Sequence, residues 1–324
     1  MTASTLRLAA ALGIVLVLAV ISLFIGVSDV SISALLSSAP QDRPMQVLLI
    51  SRIPRTLALV LAGAAISVAG LIMQMLARNR FVEPSTAGTV ESAGLGLLVV
   101  TIFAPDWPLL AKMLVAAGFA LAGTALFMRL LSAIPLRSPL VVPLVGIMLG
   151  GVIGSVTAFF AYRFDLLQTI GQWMLGDFSG ILAGRYELLW LAAGLTGLAW
   201  FTADRFTVAG LGQDFTTNLG LNYRAVMAIG LSIVAMVTAV VVVTAGSIPF
   251  LGLIGPNLVS AMMGDNMRRS IPWIALVGAG MVLACDIIGR LVRFPYEIPV
   301  GTVFGVIGSL IFLWLLLGRR RQFG

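Results

Sequence analysis

Long apolar runs alternate with short, polar, breaker-rich segments along the whole chain. The runs fall at about Leu8 to Val27, Ile53 to Ala77, Thr89 to Phe103, Leu109 to Leu131 and Val141 to Tyr162. They continue at about Leu188 to Thr202, Ala225 to Thr244, Ile248 to Met263, Ile271 to Ile288 and Val300 to Leu317. Their lengths suit full or shortened bilayer crossings. The pattern predicts an all-α integral membrane protein of about ten transmembrane helices, with residues 1-324 forming one polytopic domain. The first run follows Arg7, but it is too long for a signal-peptide core and no convincing small-x-small cleavage site follows it; an uncleaved helix is expected.

The polar segments refine this picture. Ser28 to Gln46 reads as external, with a short surface helix. Ala104-Pro105-Asp106-Trp107-Pro108 is a tight turn with Trp107 suited to the headgroup layer. Arg163 to Tyr186 is only moderately apolar and predicts a short or re-entrant helix, since irregular backbone at membrane depth must be sheltered by protein. The run near Ile248 is interrupted by Gly255-Pro256-Asn257. Gly63, Ser67 and Gly70 recur at helical spacing in the second run, which closes on Gln74. Gly146, Gly150, Gly151 and Gly154 mark the fifth. Such small residues let helix backbones approach closely.

Composition agrees: 60% of the 324 residues are hydrophobic, 10% are charged, and mean hydropathy is +1.08. A soluble domain has about a quarter charged residues, so the protein is polytopic. The net charge of +7 is no nucleic-acid signal. Lys112 is the only lysine, and the arginines are scattered between apolar runs. One cysteine, Cys285, excludes an internal disulfide, and the absence of histidine removes the commonest transition-metal ligand.

Several activities are excluded. Lys112 lies in LLAKMLV, so there is no P-loop. Ser-His, Cys-His and zinc chemistry fail for want of histidine. Gly176-Asp177 and Gly264-Asp265 leave an intramembrane aspartyl enzyme open, but the topology puts the two aspartates on opposite sides. A secondary transporter would need ionisable residues at mid-membrane. The candidates are Glu91 and Asp286, and Asp286 can pair with Arg290 one turn on.

With both termini cytoplasmic, the inside collects Arg7, Arg78, Arg80, Arg129, Arg137, Arg205, Arg224, Arg268, Arg269 and Arg319 to Arg321. The outside keeps Arg43, Arg52, Arg55, Lys112, Arg163, Arg185, Arg290 and Arg293. That is twelve against eight, the direction of the positive-inside rule. Snorkelling explains Arg43, Arg163 and Arg185. The residues alone do not separate snorkelling from docking at Arg52, Arg55 and Arg290.

The stretch from Arg52 to Glu91 carries a resemblance. Arg52, Pro54, Arg55, Gly63, Gly70, Gln74, Asn79, Pro84 and Gly88 match a pattern of Arg, apolar, Pro, Arg, a Gly-rich span ending in Gln, then Asn-Pro-Leu and Pro-x-x-x-Gly. In this pattern the chain resembles the permeases of ATP-driven importers for iron-siderophore complexes and vitamin B12. It departs at Arg80, where the pattern has proline, and at Glu91-Ser92, where a Ser/Gly-rich turn is usual. Both departures look like the branch that handles catechol-type iron chelates. Later matches are Asp214 with Gly220, the run Gly246 to Asn257 with Asn257 in place of a histidine, and Glu297-Ile298-Pro299-Val300-Gly301. Glu297 is expected to brace the start of the last helix.

The resemblance implies a type II ABC importer permease bundle in a bacterial inner membrane. The cargo would be a ferric siderophore, catecholate-type, with iron arriving already wrapped in its chelator; vitamin B12 or haem are the alternatives. The partners would be ATPase subunits that use the ATP, a second permease (a copy or a related chain) and a periplasmic or lipoprotein binding protein. The chain itself would bind no cofactor. Arg52, Arg55 and Arg290, with Arg293 by proximity, would receive acidic residues of the binding protein. The segment at about 207-222 would couple to the ATPase through Gly212, Asp214, Phe215, Asn218, Leu219 and Gly220. Leu211, Phe215 and Leu219 share one helical face there, although a plain surface loop is the other reading. Asn79 and Phe81 would form a gate, with Gly146, Gly150 and Trp173 along the path.

Overall fold

A computed structural model describes residues 3–26, 42–134, 141–264 and 266–319. Regular structure among them is helical. The first half runs α1 (Ala3–Phe24), α2 (Arg43–Val47), α3 (Ile53–Leu76), α4 (Thr89–Phe103), α5 (Leu109–Ala133), α6 (Val141–Arg163) and α7 (Leu167–Trp173). The second runs α8 (Leu189–Phe201), α9 (Ala203–Ala209), α10 (Gln213–Asn218), α11 (Tyr223–Ala245), α12 (Leu251–Met263), α13 (Met267–Leu291) and α14 (Val300–Arg319). Six helical stretches are long and apolar enough to cross a membrane, and four more, α4, α8, α12 and most of α14, are shorter apolar helices. These correspond to the ten spans expected from the sequence. The Arg163 to Tyr186 region forms only the seven-residue α7 and a run of turns. Most of the external segment Ser28 to Gln46 lies outside the described residues.

The bundle is built around α3, which packs against α8, α11, α12 and α13. Its glycine positions explain the arrangement. A Cβ on Gly63 would sit 2.7 Å from the Gly278 carbonyl of α13, and one on Gly70 would sit 1.9 Å from the Gly252 carbonyl of α12. Backbone therefore meets backbone along this seam, the use of small residues expected where lipid supplies no hydrophobic drive between helices. At the other extreme, the most apolar window of α1 is only 11% buried; it lies along α13 at the rim.

Pro256 does not interrupt α12, which is continuous from Leu251 to Met263. A proline at 256 removes the N–H that would bond to the carbonyl of residue 252. That Gly252 carbonyl instead accepts the Gln74 side-chain amide at 3.3 Å. The same substitution recurs in α13. Pro272 frees the carbonyl of Arg268, which accepts the Trp200 indole N–H at 3.2 Å. Each intrahelical bond lost to proline thus becomes a bond between helices.

Candidate functional site

Chemistry collects at the two ends of α3, which lie about 35 Å apart at 1.5 Å per residue. At the Arg55 end four charged side chains interlock. Arg55 donates from Nε and Nη2 to Asp286 Oδ1, at 3.1 and 2.7 Å, and from Nη1 to Glu297 Oε2 at 2.6 Å. Asp286 Oδ2 accepts from Arg290, one turn further along α13. Arg290 also donates to the Ser22 carbonyl at 2.9 Å, the Ile25 carbonyl at 2.7 Å and Ser22 Oγ at 2.6 Å. It thereby supplies a cation and donors to the carbonyls that α1 leaves open at its C-terminus.

Docking requires side chains that a partner can reach. Arg55 is 8% and Arg290 2% exposed, and Asp286 already engages both. Arg290 is an internal anchor of α1. Arg52 is also buried, its guanidinium lying against Gly26. Arg293 is exposed and stacks over the Tyr296 ring at 5.8 Å. Around it the 291–297 loop exposes Leu291, Val292, Phe294 and Tyr296. Glu297, expected to brace the start of the last helix, pairs instead with Arg55 of α3.

At the other end, α9 and α10 lie beneath α3. Thr216 is buried and donates to the carbonyls of Gly212 at 2.7 Å and Val208 at 3.2 Å, tying the two short helices together. This turns Leu211, Phe215 and Leu219 outward, about 60% exposed each (59, 63 and 63%). Asp214, Asn218 and Gly220 are also exposed, whereas Gly212 is buried. Gly220 (φ +76°) and Gly212 (φ +115°) adopt conformations that side chains rarely tolerate. Arg268 pairs with Asp204 at 2.6 Å on the same floor. A groove of about 260 Å³ opens between Gln74, Arg78 and Asn79 on one side and Thr207, Gly210 and Leu211 on the other.

The 79–88 segment climbs back from this floor into the bundle. Asn79 Oδ1 accepts the Phe81 N–H at 2.8 Å, a local turn. The Phe81 ring meets Phe312 edge-on at 6.1 Å, and Phe312 stacks on Phe250 at 6.3 Å. Asn257 donates to the Arg80 carbonyl at 2.7 Å. Glu83, 1% exposed, accepts the Phe250 N–H at 2.8 Å and the Ser85 hydroxyl. A carboxylate thus caps the N-terminus of α12 inside the protein. Sequence reasoning missed Glu83 as a cap; its signal was a lone acid amid apolar runs.

Gly146 and Gly150 lie where α6 packs on the start of α4, with Thr86 and Glu91 against them. Glu91 Oε2 is buried without a hydrogen-bond partner. Trp173, half-buried, ends α7, and its carbonyl lies beside Gly246. The residues named for the path fall in three places: Asn79 with Phe81, Gly146 with Gly150 on α6, and Trp173 at the end of α7. Asp177 makes a local turn with Ser179, and Asp265 lies outside the described residues. Among those described, no three His, Cys, Asp or Glu side chains group to hold a metal ion.

An all-helical bundle with six helical stretches long enough to cross a membrane and a packed glycine seam has the architecture of a polytopic membrane protein. Residues 14–318 match the model of the FecCD transport family, and the chain belongs to that family. It is 48% identical over 308 residues to the petrobactin import system permease protein YclN of Bacillus subtilis, covering 95% of this chain and 96% of the relative. It is 42% identical to the petrobactin import system permease protein FatD of Bacillus anthracis, covering 95% and 90%. The ferric-anguibactin transport system permease protein FatD of Vibrio anguillarum is 38% identical, with 91% and 94% covered. The fold matches that of a metal-chelate type ABC transporter in an inward-facing conformation, with a TM-score of 0.80, 24% identity, and 96% and 99% of the two chains covered. As a FecCD permease the chain is a multi-pass, non-catalytic membrane component that binds no cofactor.

Proposed function

We propose that this chain is the permease of a bacterial importer for a ferric siderophore of the catecholate class. The observation that carries this reading is the identity of 48% and 42% to two petrobactin permeases, each over 95% of the chain. Separate ATPase subunits supply the energy, and a second permease completes the path. The Arg55 end faces outward and both termini are cytoplasmic, as the twelve-to-eight distribution of basic residues favours. The binding protein docks on the face bearing Arg293 and the outer edge of Arg55, with Arg52 beside them and Arg290 bracing from below. The ATPase seats the apolar stripe of Leu211, Phe215 and Leu219 in and around α10, whose exposure fits a partner groove. Asn79 and Phe81 gate the cytoplasmic side; Gly146, Gly150 and Trp173 flank the path.

The test is uptake into proteoliposomes holding the permease, its ATPase and its binding protein. ATP-dependent accumulation of iron-loaded petrobactin, exceeding that of a ferric hydroxamate and of vitamin B12, is the expected result. Equal or greater uptake of vitamin B12 would overturn the cargo assignment. Uptake without ATP would overturn the class.

A further inference from the structure

The charge cluster at the Arg55 end contains its own rival for a docking partner. Two cations, Arg55 and Arg290, pair directly with two carboxylates, Asp286 and Glu297, and the buried Arg52 adds a third positive charge close enough to feel both. Three of these side chains are closed off: Asp286 is 0%, Arg290 2% and Arg55 10% exposed. Glu297 alone is partly open, at 27%. It is held by one contact, Arg55 Nη1 at 2.6 Å, whereas Asp286 is held by both arginines. The 291–297 loop that carries it exposes Leu291, Val292, Phe294 and Tyr296 with Arg293, a mixture of aromatic, aliphatic and arginine side chains typical of a protein-binding patch.

We infer that Glu297 is an intramolecular stand-in for an acidic side chain of the docking protein, occupying the Arg55 fork until that protein displaces it. This rests on the docking reading above and deepens it. Asp286 stays in place as the permanent counter-ion. An arriving carboxylate would then exchange with Glu297 on Nη1, leaving the number of carboxylates facing the arginines the same before and after. Exchange avoids the penalty of exposing an unpaired buried arginine, and it weakens docking by the strength of the contact given up. The partner surface this fits is an acidic one: a carboxylate for Arg55, a second for Arg293 and an apolar patch for Phe294 and Tyr296.

The experiment measures affinity between the permease–ATPase complex in nanodiscs and its binding protein, for the wild type and for Glu297→Gln, Arg293→Glu and Arg55→Gln. Competition predicts that Glu297→Gln tightens docking by about threefold to tenfold, with a steeper salt dependence because one more cation is open to the partner. Glu297 and Arg293 are exposed enough that their variants keep the fold, and a thermal melt confirms it. If Arg293→Glu or Arg55→Gln weakens docking while Glu297→Gln leaves it unchanged or weaker, the competitor role is wrong and the docking face stands. If neither arginine variant changes affinity, the docking face itself is wrong, and the competitor role falls with it.

Discussion

Gly70 has almost no room for a side chain. A Cβ there would fall 1.9 Å from a backbone carbonyl, which no rotamer change relieves. Gly70→Ala is expected to cost at least about 2 kcal/mol, read as a lowered melting temperature in detergent. Gly13→Ala, with nothing within 4 Å of its Cβ, should melt as wild type. The glycine spacing was legible in the sequence because helical periodicity is local. The partners of those glycines were not, because Gly252 lies 182 residues from Gly70 and Gly278 lies 215 from Gly63. Asp286 shows the same limit. Its pairing with Arg290 followed from an i, i+4 spacing, but its hold on Arg55 of α3 is a tertiary fact. Asp286→Ala would leave two buried arginines short of a counter-ion and is expected to cost about 3–5 kcal/mol, visible as lost assembly or a large drop in thermal stability.

Among the elements, α9 and α10 test how far periodicity can be trusted. Leu211, Phe215 and Leu219 share a face in the sequence, and that face is exposed in the structure. Because these side chains touch little of their own chain, Phe215→Asp with Leu219→Asp should leave the melting temperature nearly unchanged. Co-purification of the ATPase should fall at least about tenfold, since two carboxylates in an apolar groove carry a desolvation penalty. Wild-type recovery of ATPase would remove the coupling role. Gly220 is a poor probe of the same contact, because its positive φ makes any bulky replacement strain the backbone as well. The behaviour of α12 was harder to read. Gly255-Pro256-Asn257 looks like a break in a one-dimensional pattern. It is continuous helix here because Gln74, from another helix, occupies the carbonyl that proline abandons.

For the whole molecule, the 79–88 segment links the floor to the interior. It is held to α12 at two points, by Asn257 at the Arg80 carbonyl and by Glu83 at the Phe250 N–H. The segment and α12 should therefore move together if Asn79 and Phe81 form a gate. In a background lacking Cys285, cysteines at 79 and 81 are expected to change thiol reactivity when an ATP analogue binds the assembled importer. Adding Asn257→Ala should raise reactivity at 81 without nucleotide, by releasing one clamp. Identical labelling in every nucleotide state would reduce the segment to a turn. The places and order of the ten apolar helices, six of them long enough to cross a membrane, and the short α7 were legible from hydropathy and breakers. The depth at which the short helices begin was not, since nothing local marks a helix that starts inside a protein.

The glycine seam has a mechanical consequence. Between most helices a layer of side chains acts as a cushion that absorbs small displacements by rotamer shifts. Along α3 that cushion is missing: its backbone bears directly on those of α12 and α13, so the three form a stiff strut rather than a spring. A push delivered at the floor, beside Gly210 and Leu211, travels the length of α3 as tilt instead of being dissipated by compression. The strut ends at Arg55, so a small movement at the Gly210 end becomes leverage on the charge cluster at the other.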